Sequence, residues 1–341
     1  MLKYCFSLCI AVLALVSCAC AKLNLFQQPS RAEFALGTVC NVTLFDQARE
    51  EVYRDIFGHI REIENRMSVN LPQTDVMRIN AAAGYAPVPV NNDVFAVIER
   101  AVYFAELSGG AFDPTVGPLV SLWGISGDYP RVPSQEEIDA VLPLVNWRNI
   151  ELNPEERTVF LKIPGMALDL GAIAKGYAAD EAAGIVKEAR INQAIIDLGG
   201  DIVTSGIKKD KTKWKIGIQD PFNSRGVYIG IINVFEGAVV TSGVYERFFE
   251  EDGIRYHHLF SPSQGSPAAG NLLSVTVIAN SAMDADALST ALFVLGYEKG
   301  NALIETLAGI DAVFVFEDKS IRVSPGADFF LTDDEYWIAV E

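Results

Sequence analysis

Cysteine is almost absent from the body of this 341-residue chain: of five, only Cys40 lies beyond the first twenty residues. A lone body cysteine excludes a disulfide framework and a thiolate metal site. Histidine is as scarce, with His59, His257 and His258 the whole supply, so acid–base chemistry near neutral pH has few candidates. Basic residues are outnumbered, 27 Lys and Arg against 44 Asp and Glu, for a formal charge of −17. Such a chain repels nucleic acid and anionic lipid headgroups, so neither is expected as a direct partner. Low-complexity linkers and fixed-period repeats are missing too, which leaves one continuous domain with half its residues hydrophobic, enough for a sizeable core.

Only one long apolar run occurs, Cys5 to Val16. It is short for a membrane span, and with Lys3 before it and small residues after it, it reads as a secretory signal. Leu15-Val16-Ser17-Cys18 resembles a bacterial lipobox, which implies cleavage before Cys18 and acylation of its thiol. Ala19-Cys20-Ala21 offers the alternative of ordinary cleavage after Ala21. Either way the remainder is exported. On the lipobox reading, residues 1–17 are the signal, 18–33 a tether, and 34–341 the folded domain, held by its lipid at the periplasmic side of the bacterial inner membrane.

Helical periodicity is clearest from Gln47 to Met67, where Val52, Ile56, Ile60, Ile63 and Met67 share a face. Asn92 to Leu107 is a second helix stopped by Gly109-Gly110, and Ser134 with Glu137 forms a capping box for a short third. Further helices are expected at Gly171, Met283 and Ala302. Strands are expected at Phe34–Leu44, Ile163–Leu170, Gln193–Asp197, Trp214–Gln219, Val227–Val234, Ala312–Glu317 and Ser320–Val323, with a hairpin turning at Glu251-Asp252-Gly253. Hairpins mixed with helices indicate an α+β domain with largely antiparallel sheets rather than a doubly wound sheet.

Within the Met283 helix, Asp286 and Thr290 lie four residues apart and share a face. Two hard oxygen ligands so placed, with room for phosphate and water, suit a magnesium ion. Asp284 points elsewhere and pairs with Ser281 as a cap. A strand-to-helix junction at Gly171 leaves backbone N–H groups and a positive dipole end that suit a phosphate, with Lys175 one turn in. Gly199-Gly200 is either part of the same cradle or an ordinary strand-end turn. His59 reads as a solvated helix residue. His257 and His258 sit on a strand and face opposite ways, so one of them can face the site.

The segments Asp169–Asp180, Ile196–Asp201 and Asp284–Ala291, with Leu36–Thr38, Gly110–Pro118, Thr241–Gly243 and Tyr256–Pro262, resemble the FAD:protein FMN transferases, the ApbE-type flavin transferases. The matches run in the family's order from about residue 36 to about residue 296. The resemblance implies an enzyme that uses Mg²⁺ to cleave its substrate FAD, joins FMN through a phosphoester to a threonine of an acceptor protein, and releases AMP. It implies that Asp286, Thr290 and the Ala172 carbonyl hold the metal. Leu36, Asn70, Ala111, Phe112, Asp113, Asp169, Lys175 and Leu259 are implied to contact FAD. It also selects His258, which precedes the apolar pair and proline of its motif, as the catalytic base for the threonine hydroxyl. One departure is Ser261, where the family has Asp; Ser makes the same local turn bonds. Trp123, Phe112 and Tyr177 are open to two readings, stacking on a flavin or adenine ring or packing in the core.

A second departure sits at Asn70, where the family commonly has an aromatic residue. A short polar side chain beside the ligand would leave space for water, so hydrolysis of FAD to FMN and AMP is expected alongside transfer, unless Asn70 is simply a turn residue before Leu71-Pro72. Expected acceptors are subunits of Rnf-type or sodium-pumping NADH:quinone oxidoreductases. The competing class is an exported lipoprotein that binds flavin and performs no chemistry, which would not need a metal pair beside a lysine and a histidine.

Overall fold

The computed structural model describes residues 30–339 apart from 126 and 128. The signal segment and Cys18 lie outside the described residues. Seven helices are present among them: α1 (Glu50–Met67), α2 (Asp75–Ala81), α3 (Asn92–Leu107), α4 (Gly117–Trp123), α5 (Gln135–Val141), α6 (Ala174–Glu188) and α7 (Ala282–Ile304).

A nine-stranded sheet forms the middle layer. Its order is Ser30–Ala35, Thr38–Leu44, Ala194–Leu198, Asp201–Ser205, Gly237–Gly243, Leu272–Ala279, Asp311–Phe316, Ser320–Val323 and Trp337–Ile338. Every pairing is antiparallel until the last, which is parallel. Successive side chains on a strand face opposite ways, and Asp311–Phe316 uses both faces. Ala312 and Phe314 join the core beneath the helices. Val313 and Val315 pack instead with Ile216, Ile218 and Ile232 of a three-stranded sheet on the other side. The α+β expectation holds, as three layers: helices, large sheet, small sheet.

Amphipathic spacing explains the helix layer. Ile56, Ile60 and Ile63 of α1 are fully buried, each contributing roughly 1.5–3 kcal/mol on removal from water. The expected boundaries of α3 and the capping box on α5 are present as read, and α1 starts at Glu50 rather than Gln47.

Elsewhere the structure departs from the sequence reading. The single strand expected at Phe34–Leu44 is a hairpin whose turn residues Leu36 and Gly37 have φ of 54° and 70°. Leucine rarely adopts a left-handed conformation; here its N–H donates to Glu64 Oε1 of α1 at 2.8 Å, which holds the turn. The first strand of that hairpin takes in residues 30–33, assigned above to the tether. Ile163–Leu170 is no strand, because Pro164 and Gly165 (φ 89°) interrupt it. A lone bridge from Ala167 to Val116 and a bond from Asp169 N–H to Pro114 O pin it as a loop. The following helix therefore opens at Ala174, not Gly171. The helices expected at Met283 and Ala302 are both present as the two segments of α7, separated at Gly296, whose backbone is not helical (φ 74°, ψ 172°), so that the second begins earlier than Ala302.

Candidate active site

α6 and α7 cross against the large sheet, and Gly176 is the reason they come so close. A Cβ added there would lie 2.2 Å from the Ala282 carbonyl oxygen. The contact brings Lys175 of α6 and Asp286 of α7 together. Asp286, 3% exposed, accepts the Gly176 N–H at 3.0 Å and has Lys175 Nζ at 3.2 Å. Lys175 also donates to Asp201 at 2.7 Å. Two buried carboxyl groups therefore share one ammonium, too little positive charge to keep both ionised out of water. Burial, followed by the charge of Asp286, pushes the Asp201 carboxyl up to about 8. Burial disfavours charged Lys175, but Asp201 and Asp286 outweigh it and hold the ammonium protonated, above its ordinary range.

Asp284 occupies the other side of α7. Arg100 clasps its carboxylate at 2.8 and 2.6 Å, while its N–H donates to Ser281 Oγ. The reciprocal half of the helix cap comes from Asp180 of α6, which accepts from Ser281 Oγ and from the Ala282 and Met283 N–H groups. These bonds fix the α7 start and thus the rotation of Asp286 and Thr290.

Thr290 Oγ1 lies 3.2 Å from Ser242 Oγ on the Gly237–Gly243 strand. Ser242 is in turn 2.8 Å from Ser289 Oγ, which donates to the Asp286 carbonyl. With the Ser289 proton so engaged, Ser242 donates to Ser289 and Thr290 donates to Ser242. The Thr290 oxygen is left as an acceptor. Among the described residues no group of three His, Cys, Asp or Glu side chains is placed to hold a metal ion. The donor set is instead the Asp286 carboxylate, crowded by the second acid Asp201, and a hydroxyl turned acceptor, which fits a hard cation such as Mg²⁺.

Around this cluster opens a cavity of about 350 Å³, within the range of small-molecule sites. Ala111, Phe112, Asp113, Asp169, Ala172, Lys175, His258, Leu259, Asp286 and Thr290 all line it. Asp113 accepts from the Thr115 N–H and hydroxyl and from the Trp147 N–H, so much of its capacity serves to shape its loop; burial raises its pKa. Asp169, likewise raised by burial, accepts the Gly171 N–H at 2.8 Å. Part of the helix-start cradle expected for phosphate is thus taken by the site's own carboxylates, Gly171 by Asp169 and Gly176 by Asp286.

His258 follows the Ile254–His257 strand, and its Nδ1 is 3.2 Å from the Arg247 carbonyl. Donation from Nδ1 leaves Nε2 as the basic nitrogen. Burial, then the charge of Arg247, pushes its pKa down to about 3, so the ring is neutral. His257 is buried, accepts the Leu259 N–H at 3.3 Å and stands edge-on to Phe293. It does not line the cavity. Ser261 makes its turn, its carbonyl accepting the Gln264 and Gly265 N–H groups.

Four sequence-derived candidates fall elsewhere. Leu36 stays outside the lining while its neighbours Gly37 and Thr38 enter it, because the hairpin turn directs its N–H to α1. Asn70 is exposed on a bend and does not line the cavity. Trp123 is core, its indole N–H donating to Gly265 O at 2.9 Å. Tyr177 packs at the edge of the main core, outside the lining. Conversely, Asp201, Ser242, Arg225, Glu246 and Arg247 line the site without having been selected. Asp201 closes the Gly199-Gly200 turn, so an acid directly after paired glycines was the available signal; Arg247 had none.

The ApbE family model matches residues 36–314. The chain belongs to the ApbE family. A FAD:protein FMN transferase of Treponema pallidum is 39% identical over 337 residues, covering 93% of each chain. One from Klebsiella pneumoniae is 40% identical over 269 residues, covering 79% of this chain and 83% of its own. Among solved ApbE structures, the Thermotoga maritima protein superimposes with a TM-score of 0.80 at 37% identity, over 88% of this chain and 97% of its own. The Vibrio cholerae flavin transferase gives 0.77 at 30% identity, over 91% and 98%.

Proposed function

We propose that this ApbE-family protein is a FAD:protein FMN transferase, using Mg²⁺ to move FMN from FAD to an acceptor threonine. The observation that carries the reading is the convergence of Lys175, Asp201, Asp286, Thr290 and His258 on one cavity. Asp286 and Thr290, with the Ala172 carbonyl, would hold the metal, whose charge would neutralise the FAD diphosphate. The acceptor oxygen forms a bond to the FMN phosphorus while the anhydride bond to AMP breaks, its electron pair leaving on AMP. His258 Nε2 takes the hydroxyl proton. Binding FAD phosphates beside His258 would add negative charge and raise its basicity from that low value.

The acceptor is a threonine of an Rnf-type or sodium-pumping NADH:quinone oxidoreductase subunit, met at the periplasmic side of the inner membrane. The apolar run Cys5 to Val16 and the lipobox-like Leu15-Val16-Ser17-Cys18 support that place. Incubation with FAD and Mg²⁺, following AMP and FMN by chromatography, tests the reading. AMP formation with an acceptor peptide is expected; FAD bound with no AMP formed would identify a flavin-binding lipoprotein instead. FAD hydrolysis remains the finer proposal, and the acceptor-free arm measures it. Since Asn70 does not line the cavity, Asn70→Tyr is expected to leave that arm unchanged.

A further inference from the structure

Three cations line the cavity: Lys175, Arg225 and Arg247. Lys175 is bound between Asp201 and Asp286, at 2.7 and 3.2 Å. Arg225 is paired with Glu246 at 3.0 Å. Arg247 is different, for among the described residues its guanidinium has neither a carboxylate partner nor a hydrogen-bond acceptor. It is exposed at the mouth, where its Nη2 lies 3.3 Å from the position a Cβ on Gly37 would take. Its own carbonyl accepts from the His258 N–H and ring, so the guanidinium is tied by one backbone link to the proposed base. Its charge reaches inward to both Asp169 and His258.

A dianionic diphosphate approaching a chain of charge −17 needs local positive charge that is not already neutralised. We propose that Arg247 is the diphosphate-binding residue at the cavity mouth, and that it sets the preference for FAD over flavins lacking phosphate. This rests on the FAD-transferase reading. A guanidinium presents paired donors matched to phosphoryl oxygens. Set beside His258, it orients the phosphorus toward the face from which the acceptor hydroxyl arrives. Glycine at position 37, directly beneath it, leaves the guanidinium room to move onto a ligand.

Equilibrium binding of FAD and riboflavin, read by flavin fluorescence with and without Mg²⁺, tests this in the wild type, Arg247→Ala and Arg247→Lys. The wild type is expected to prefer FAD. Arg247→Ala should lose that preference by about tenfold to a hundredfold, the usual scale of a charge-assisted bond, with riboflavin affinity unchanged. Arg247→Lys should recover part of it. Unchanged riboflavin binding also reports that the variant is folded. A wild type that prefers FAD together with an Arg247→Ala protein that keeps the preference overturns this assignment alone. A wild type that binds no FAD overturns it together with the transferase reading.

Discussion

His257 and His258 are neighbours in sequence, yet one is packed against Phe293 and the other lines the cavity. His258→Ala is expected to lower FMN transfer by about 10²–10⁴-fold, the usual contribution of a positioned base, with FAD binding retained. His257→Ala should keep transfer near normal and lower stability instead. Steady-state kinetics with chemical denaturation of both variants checks this, and equal kinetic losses would remove the assignment. His257 also gives a pH dependence. Burial lowers its pKa from 6.5 to about 4 in the fold, so between those values the unfolded chain binds the proton and the folded one does not. Its contribution is complete above about pH 6.5 and lost toward pH 4, by roughly 3 kcal/mol. Thermal unfolding across that window should fall more steeply for the wild type than for His257→Gln; parallel curves would contradict it. At this scale the sequence exposed Asp286, Thr290 and Lys175 because helical spacing is a local property. Asp201 and Arg247 were hidden because their importance comes from partners, or the lack of them, brought in by distant strands.

Helices and hairpins were legible where periodicity and turn chemistry agreed, as in α3 and the Asp252-Gly253 turn. They failed where tertiary contacts decide: the Leu36 turn depends on Glu64, and the Ile163–Leu170 loop on Pro114 and Val116. The α6–α7 crossing is the clearest such case. Gly176→Ala would drive a methyl into the Ala282 carbonyl, and forcing the helices apart should cost about 1–3 kcal/mol and displace Asp286 from Lys175. Gly184, on the same helix, has open space around its would-be Cβ. Gly184→Ala should therefore stabilise, by about 0.5–1 kcal/mol. Comparing melting temperatures of the two separates crowding from helix propensity; similar shifts would mean that the crossing does not depend on Gly176.

Over the whole molecule, a sheet covered on one side by helices and on the other by a small sheet leaves its functional cavity at the ends of α6 and α7. No described helix is long and apolar enough to cross a membrane; the anchorage proposed above is at Cys18. Cys18→Ser should move the protein from the membrane to the soluble fraction of exported material, and retention at the membrane would reject lipid attachment there. The central claim is group transfer, and the mass of the acceptor tests it most directly. A threonine-containing acceptor peptide incubated with FAD, Mg²⁺ and the wild-type protein should gain the mass of one phosphoester-linked FMN, and with Asp286→Ala it should gain none. A peptide unchanged by the wild type, or modified equally by Asp286→Ala, would contradict the account.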